Sequence, residues 1–178
     1  MNCDVCERPP RRCVCRFIRR TPTPMNITMI QHVDEHKHAK NTGTLAAKCL
    51  GIDIVPSHDL IHLNWSKEHD ALLFPSTEDI ETVAASELPS ETHIWIIDAT
   101  WRKATRILAE HPRLASLPRV VLPASESQWR NRKPQRPGQL ATIEAIATLH
   151  ESCQHHSISQ SLNQVFDTFQ IALEQYKS

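Results

Sequence analysis

Apolar runs of strand length, alternating with helix-patterned segments, place this 178-residue chain in the α/β class with a largely parallel sheet. Three observations predict it. Residues 26–32, 52–55, 71–74, 94–97 and 119–122 are short apolar runs rich in Ile, Val and Leu, each stopped by a proline or a polar residue. The segments between them carry helix-starting and helix-ending residues. The last run, Leu162, Val165, Phe166, Phe169, Leu173 and Tyr176, is the i, i+3, i+4 stripe of a core-docked terminal helix. A chain of this length can bury a sizeable core in one domain with small additions.

The elements follow in order. Residues 1–22 read as a separate unit. Cys3-x2-Cys6 and Cys13-Val14-Cys15 flank an Arg-Pro-Pro-Arg-Arg turn. Four thiols at that spacing match a closed tetrahedral zinc site, and so little apolar material needs a staple. Disulfides or idle thiols are the alternative. Cys49 and Cys153 lie elsewhere and read as small buried hydrophobes. Thr21-Pro22-Thr23-Pro24 is a stiff linker into a main domain over residues 25–178. After the first strand, Asn41-Thr42 can cap a helix over 45–50 that Gly51 ends. Pro56 stops the second strand and Pro75-Ser76 the third. Ser76 with Asp79 resembles a capping box for a helix over 80–87. The fourth strand, Ile94-Trp95-Ile96-Ile97, runs into Asp98-Ala99-Thr100-Trp101 and a helix over 102–110. The fifth leads into a long polar loop, 123–138, and Thr142 can cap a helix over 143–150.

Composition narrows the function. The formal net charge is +0, but the charge is uneven. Arg8, Arg11, Arg12, Arg16, Arg19 and Arg20 crowd the amino terminus, and Arg130, Arg132, Lys133 and Arg136 crowd the long loop. Local basic footprints decide phosphate contact. The first residues are polar, so no signal peptide is expected, and no apolar run approaches the ~20 residues of a membrane span. A cytoplasmic chain with reduced or metal-bound thiols is the expectation. Gly43, Gly51 and Gly138 are the whole glycine complement, which excludes the glycine-rich dinucleotide and phosphate loops.

Asp98, Thr100 and Trp101 carry the strongest signal. A buried strand ends there in a carboxylate, a hydroxyl and an aromatic, at the edge where open α/β sheets place ligands. The competing role for Asp98 is a helix cap, with Trp101 in the core. His32, His36 and His38 could hold a second metal, but such histidines are more often surface residues. Trp129 among Arg130, Arg132 and Lys133 has the composition of an RNA contact, with arginines on phosphates and a ring to stack a base. The alternative turns Trp129 inward.

A run of motifs in order resembles the DTW-domain family. It comprises the cysteine quartet, His32-Val33-Asp34-Glu35 running into Asn41-Thr42, and Leu72-Leu73-Phe74-Pro75-Ser76. Asp98-Ala99-Thr100-Trp101, Trp129-Arg130-Asn131-Arg132 and Leu140-Ala141-Thr142-Ile143-Glu144-Ala145 complete it. Val33, Ala99 and Trp129 depart from the commoner Pro, Gly and Tyr. The resemblance implies a SPOUT-like fold with a trefoil knot, and a tRNA-uridine aminocarboxypropyltransferase. Such an enzyme moves the 3-amino-3-carboxypropyl group of S-adenosylmethionine to uridine N3 and releases methylthioadenosine. It further implies that Leu73, Pro75, Ser76, Asp98, Leu122 and Thr142 hold the cofactor, with zinc structural. Asp98 then serves as base for N3–H or contacts the cofactor ammonium. Glu35 and Asn41 would orient substrate or loops. A methyltransferase on the same cofactor, or a non-catalytic zinc-ribbon RNA-binding module, are the competing readings.

Overall fold

The computed structural model describes residues 1–6, 8–36, 38–130 and 138–175. In chain order the elements are β1 (Asn26–Gln31), α1 (Gly43–Leu50), β2 (Asp53–Pro56), β3 (Asp70–Leu73), β4 (Thr82–Ala84) and β5 (His93–Asp98). Then come α2 (Trp101–Glu110), the short α3 (Pro112–Ala115), β6 (Arg119–Val121), α4 (Thr142–Ser152) and α5 (His156–Gln175). The strands form one six-stranded sheet in the order β2-β1-β5-β3-β6-β4, and every pairing is parallel. Parallel sheets bury both faces, which is why β1 and β5 read as near-continuous apolar runs.

Side chains alternate between two clusters. Ile27, Met29, Ile94 and Ile96 face α1, α4 and α5, together with Leu45, Leu149, Leu162, Phe166 and Phe169. Ile30, Leu72 and Trp95 face α2 and α3 through Ile107 and Leu114. This period of two along each strand puts one helical layer on each face. The register sets Gln31 of β1 beside Asp98 of β5, and Leu73 of β3 beside Ile96 of β5. The carboxyl ends of the three central strands therefore form one edge.

Several expectations are corrected. No helix spans residues 80–87. Thr82–Ala84 pair with β6 as an edge strand, and a 3-10 turn, Ala85–Glu87, follows. The β-branched Ile80, Thr82 and Val83 suit an extended edge better than a short helix. Ser76 donates to the Thr77 carbonyl instead of capping. Thr142 does not cap α4. The Glu144 carboxylate accepts the Ala141 N–H at 2.7 Å, which frees the Thr142 hydroxyl for Asp98. The cysteine segment packs against the rest of the chain. Cys6 and Val14 belong to the main apolar cluster, with Cys3, Cys13, Cys15, Phe17 and Ile18 packed against it. Tyr176, the last member of the terminal stripe, lies outside the described residues.

His150 anchors the linker to α4. Its Nδ1 donates to the Ile146 carbonyl at 2.8 Å, so its Nε2 accepts from the Thr23 hydroxyl at 2.8 Å. The ring is fully buried. Burial pushes its pKa below the ordinary histidine value, with the neighbouring His155 adding to the fall and the Ile146 hydrogen bond opposing it. The folded state thus binds fewer protons here than the unfolded chain, so this contribution is present above about pH 6.5 and is lost on acidification. The urea midpoint should fall between pH 7.5 and pH 5.5, and His150→Phe should flatten that slope. An equal slope in both proteins would assign the acid sensitivity elsewhere.

Candidate functional site

The Asp98 side chain is 5 % exposed and accepts three hydrogen bonds. Gln31 Nε2 and Asn41 Nδ2 donate to Oδ2 at 2.8 and 2.6 Å, and Thr142 Oγ1 donates to Oδ1 at 2.7 Å. Each donor is itself fixed. Asn41 Oδ1 accepts the Thr44 N–H, which caps α1 and turns the Asn41 amide nitrogen toward Asp98. Gln31 Nε2 also reaches Thr44 Oγ1. The Asp98 carbonyl accepts the His32 N–H, tying the end of β5 to the loop after β1. A Cβ at Gly43 would overlap the Asp98 carboxyl group, so only glycine lets α1 approach this closely.

In front of this knot of hydrogen bonds lies a cleft of about 670 Å³, within the ~300–1,000 Å³ of small-molecule sites. Its floor is the ends of β3, β5 and β6, at Leu73, Ile96, Ile97, Val120 and Val121. Phe74 and Trp101 stack on each other along one side, 5.2 Å apart and 11° from parallel. Two stretches of the long loop, Leu122–Ser125 and Gly138–Leu140, form the opposite wall with Thr142 and Ala145. No charged side chain lines it among the described residues. Glu144 shapes that wall. It is 7 % exposed, and its carboxylate accepts from Ser127 Oγ, Gln128 N–H and Ala141 N–H at 2.7, 2.6 and 2.7 Å. One carboxylate thereby ties the first half of the long loop, at Ser127 and Gln128, to its end at Ala141.

The four cysteines converge on the far side of α1's start. All their sulfurs lie within 4.8 Å of one another, with Cys3–Cys15 and Cys6–Cys13 at 3.6 Å. Tetrahedral thiolates bound at ~2.3 Å to one zinc lie about 3.8 Å apart, so the set fits that ion. Backbone N–H groups of Cys6 and Val5 pull the Cys3 thiol down to about 6, while burial pushes Cys15 up to about 12. Arg8 is 2 % exposed beside this cluster and donates from Nη2 to the Asn41 carbonyl at 3.5 Å. Burial lowers its pKa, opposed by the charges of Cys6, Asp98, Cys13 and Cys15.

The sequence pattern of the DTW domain matches residues 1–173. The chain belongs to the DTW domain family. It is 26 % identical over 130 residues to tRNA-uridine aminocarboxypropyltransferase A of Arabidopsis thaliana, covering 60 % of this chain. It spans about half, 49 %, of that relative's length. The DTW domain's fold matches the SAM-dependent rRNA:acp-transferase Tsr3 from Vulcanisaeta distributa, with a TM-score of 0.60 and 18 % identity. The match covers 85 % of this chain and 80 % of that one. The fold is SPOUT-like, as expected. Residues 131–137, in the long loop, lie outside the described residues.

In this DTW domain the expected residues divide cleanly. Leu73, Pro75, Ser76, Trp101, Leu122 and Thr142 line the cleft. Asp98 sits behind it, and Thr100 is exposed at the start of α2 and off the cleft wall. Trp129 turns inward, 8 % exposed and edge-on to Phe166 at 5.4 Å, so its ring is not presented to a base. Arg130 is exposed and pairs with Asp167 at 3.2 Å. Arg132 and Lys133 lie outside the described residues. His32 Nδ1 meets its own turn at Asp34, and Lys103 of α2 pins that turn through Asp34 and Glu35. Among the described residues the cysteines form the metal-ligating cluster, and the histidines join none. Gln31, Gly43, Phe74 and Arg8 have roles the sequence reading missed. Gly43 follows Asn41-Thr42 directly, and that adjacency was the available signal.

Gly43→Ala should displace Asp98 and cost about 1–3 kcal/mol, as overpacking does. Urea unfolding checks it, and unchanged stability would mean that the Asp98 side chain yields without loss.

Proposed function

We propose that this chain transfers the 3-amino-3-carboxypropyl group of S-adenosylmethionine to N3 of a uridine in tRNA. The observation that carries the reading is the apolar, uncharged cleft at the strand ends with the Asp98 network directly behind it. The names of the relatives support it: one is a tRNA-uridine aminocarboxypropyltransferase and the other a SAM-dependent rRNA:acp-transferase.

A sulfonium activates each carbon bonded to sulfur, so the protein's task is to choose the methylene by position. In the proposed reaction N3 attacks that methylene, the carbon–sulfur bond breaks, and its electron pair stays on sulfur as methylthioadenosine leaves. The N3 proton passes to water. Leu73, Pro75, Ser76 and Leu122 hold the nucleoside part, and the faces of Phe74 and Trp101 favour the sulfonium and the uracil ring. Thr142 donates its proton to Asp98, so its remaining lone pairs are acceptors at the cleft wall. They suit the methionine ammonium. Asp98 then acts as a positioning residue behind Thr142, because protein donors occupy both its oxygens. Zinc on Cys3, Cys6, Cys13 and Cys15 is structural and supplies no step. Arg130, with Arg132 and Lys133, meets tRNA phosphates.

Incubation of protein, unmodified tRNA and S-adenosylmethionine, followed by mass spectrometry, tests this reading. Methylthioadenosine should appear in a one-to-one ratio with the modified uridine. Stoichiometric S-adenosylhomocysteine would overturn the transfer and point to methyl chemistry. RNA binding with no product and no cofactor affinity would leave a binding module.

A further inference from the structure

We infer that Arg8 is a positioning residue that ties occupancy of the cysteine site to the geometry of the cleft, on the reading that the site takes zinc and the cleft S-adenosylmethionine. Arg8 is buried in the cysteine segment and joined to the Asp98 network through the Asn41 carbonyl. Four thiolates around one divalent zinc carry a net charge of about −2. They and the Asp98 carboxylate both lie within electrostatic reach of the guanidinium. A buried guanidinium without such partners would be strongly unfavourable.

The contacts run in sequence. The Cys3 N–H donates to the Arg8 carbonyl at 2.8 Å, fixing the turn that carries the side chain. Arg8 Nη2 reaches the Asn41 carbonyl at 3.5 Å, and Asn41 Nδ2 reaches Asp98 at 2.6 Å. Asp98 in turn holds the cleft-lining Thr142. Arg8 Nε and Nη1 are buried and have no hydrogen-bond partner among the described residues. A guanidinium presents its donors in a rigid fork, so the three N–H groups on Nε and Nη1 remain for acceptors at the cluster, and thiolates gathered on an ion are such acceptors. Outer groups that donate to metal ligands typically change metal affinity about 10–100-fold. Because Arg8 also bears on Asn41, zinc that fixes the guanidinium fixes the Thr142 side of the cleft. Linkage then requires the reverse: cofactor in the cleft must tighten zinc by the same factor.

The test measures zinc affinity by competition against a chromophoric chelator, with and without saturating S-adenosylmethionine. It uses full-length protein whose fold is verified by circular dichroism and whose cofactor binding is verified by calorimetry. Wild type should bind zinc at least about 5-fold more tightly with cofactor present. Arg8→Met should bind zinc about 10–100-fold more weakly and lose the dependence on cofactor. Asn41→Ala leaves the guanidinium at the cluster but cuts the side-chain link to Asp98. It should keep wild-type zinc affinity without cofactor and lose the coupling, which decides the question even if Arg8→Met does not fold. Equal zinc affinities in wild type at demonstrated cofactor saturation would overturn the inference, as would full coupling in either variant. A wild-type protein that binds no S-adenosylmethionine at all would instead sink the reading of the cleft.

Discussion

The Asp98 carboxylate, buried at the carboxyl end of the central strand, holds together three segments of the chain. Gln31 ends the neighbouring strand, Asn41 caps the first helix, Gly43 opens it, and Thr142 opens the helix that follows the long loop. A carboxylate without partners in that position would be very costly, whereas three donors aimed at it turn the cost into specificity of arrangement. Besides two hydrogen bonds, from Gln31 Nε2 to Thr44 Oγ1 and from the Ile143 N–H to Thr42 Oγ1, the segments of the three donors meet through apolar packing, which is tolerant of small shifts. Directional hydrogen bonds to one acceptor are not. The strand ends, the helix start and the second half of the cleft wall are thereby set to a common origin.

A second carboxylate completes the arrangement from the other direction. Glu144 ties Ser127 and Gln128, inside the long loop, to Ala141 at its end, while Asp98 holds the residue two places before Glu144 in the same helical turn. The cleft, lined by Thr142 and Ala145 of that helix, carries no charge of its own among the described residues. Both acidic groups face protein donors instead. In the proposed function this leaves an apolar cavity with negative charge just behind its wall, which favours a cationic ligand without placing a nucleophile beside its sulfonium.

Much of this was legible in the sequence. Ile94–Ile97 reads as a buried strand because apolar residues on both faces leave little else for it to be, and Asp98 marks its end because a carboxylate cannot continue such a run. The cysteine spacing foretold the convergence of the four sulfurs. Residues 80–87 were misread because an Ser-x-x-Asp pattern is local, whereas the pairing of Thr82–Ala84 with Arg119–Val121 is decided by the sheet. Thr142 was misread for a related reason: a threonine at a helix start is usually a cap, but Glu144 had already taken that task. Trp129 sits in a basic stretch, yet its ring has a larger claim on Phe166 and the core than on solvent. Arg8 was counted with its neighbours as surface charge, because burial beside a thiolate cluster leaves no periodic trace.

The most direct measurement of the central claim is the stability of Asp98→Asn. Asparagine keeps the shape but replaces one acceptor with a donor, which must face Gln31 and Asn41 or Thr142, donors themselves. If Asp98 is the common anchor, urea unfolding should show a loss of about 3 kcal/mol or more, the scale of losing charge-assisted hydrogen bonds in a buried site. Wild-type stability in Asp98→Asn, with turnover alone abolished, would contradict the account and return Asp98 to the role of a chemical base.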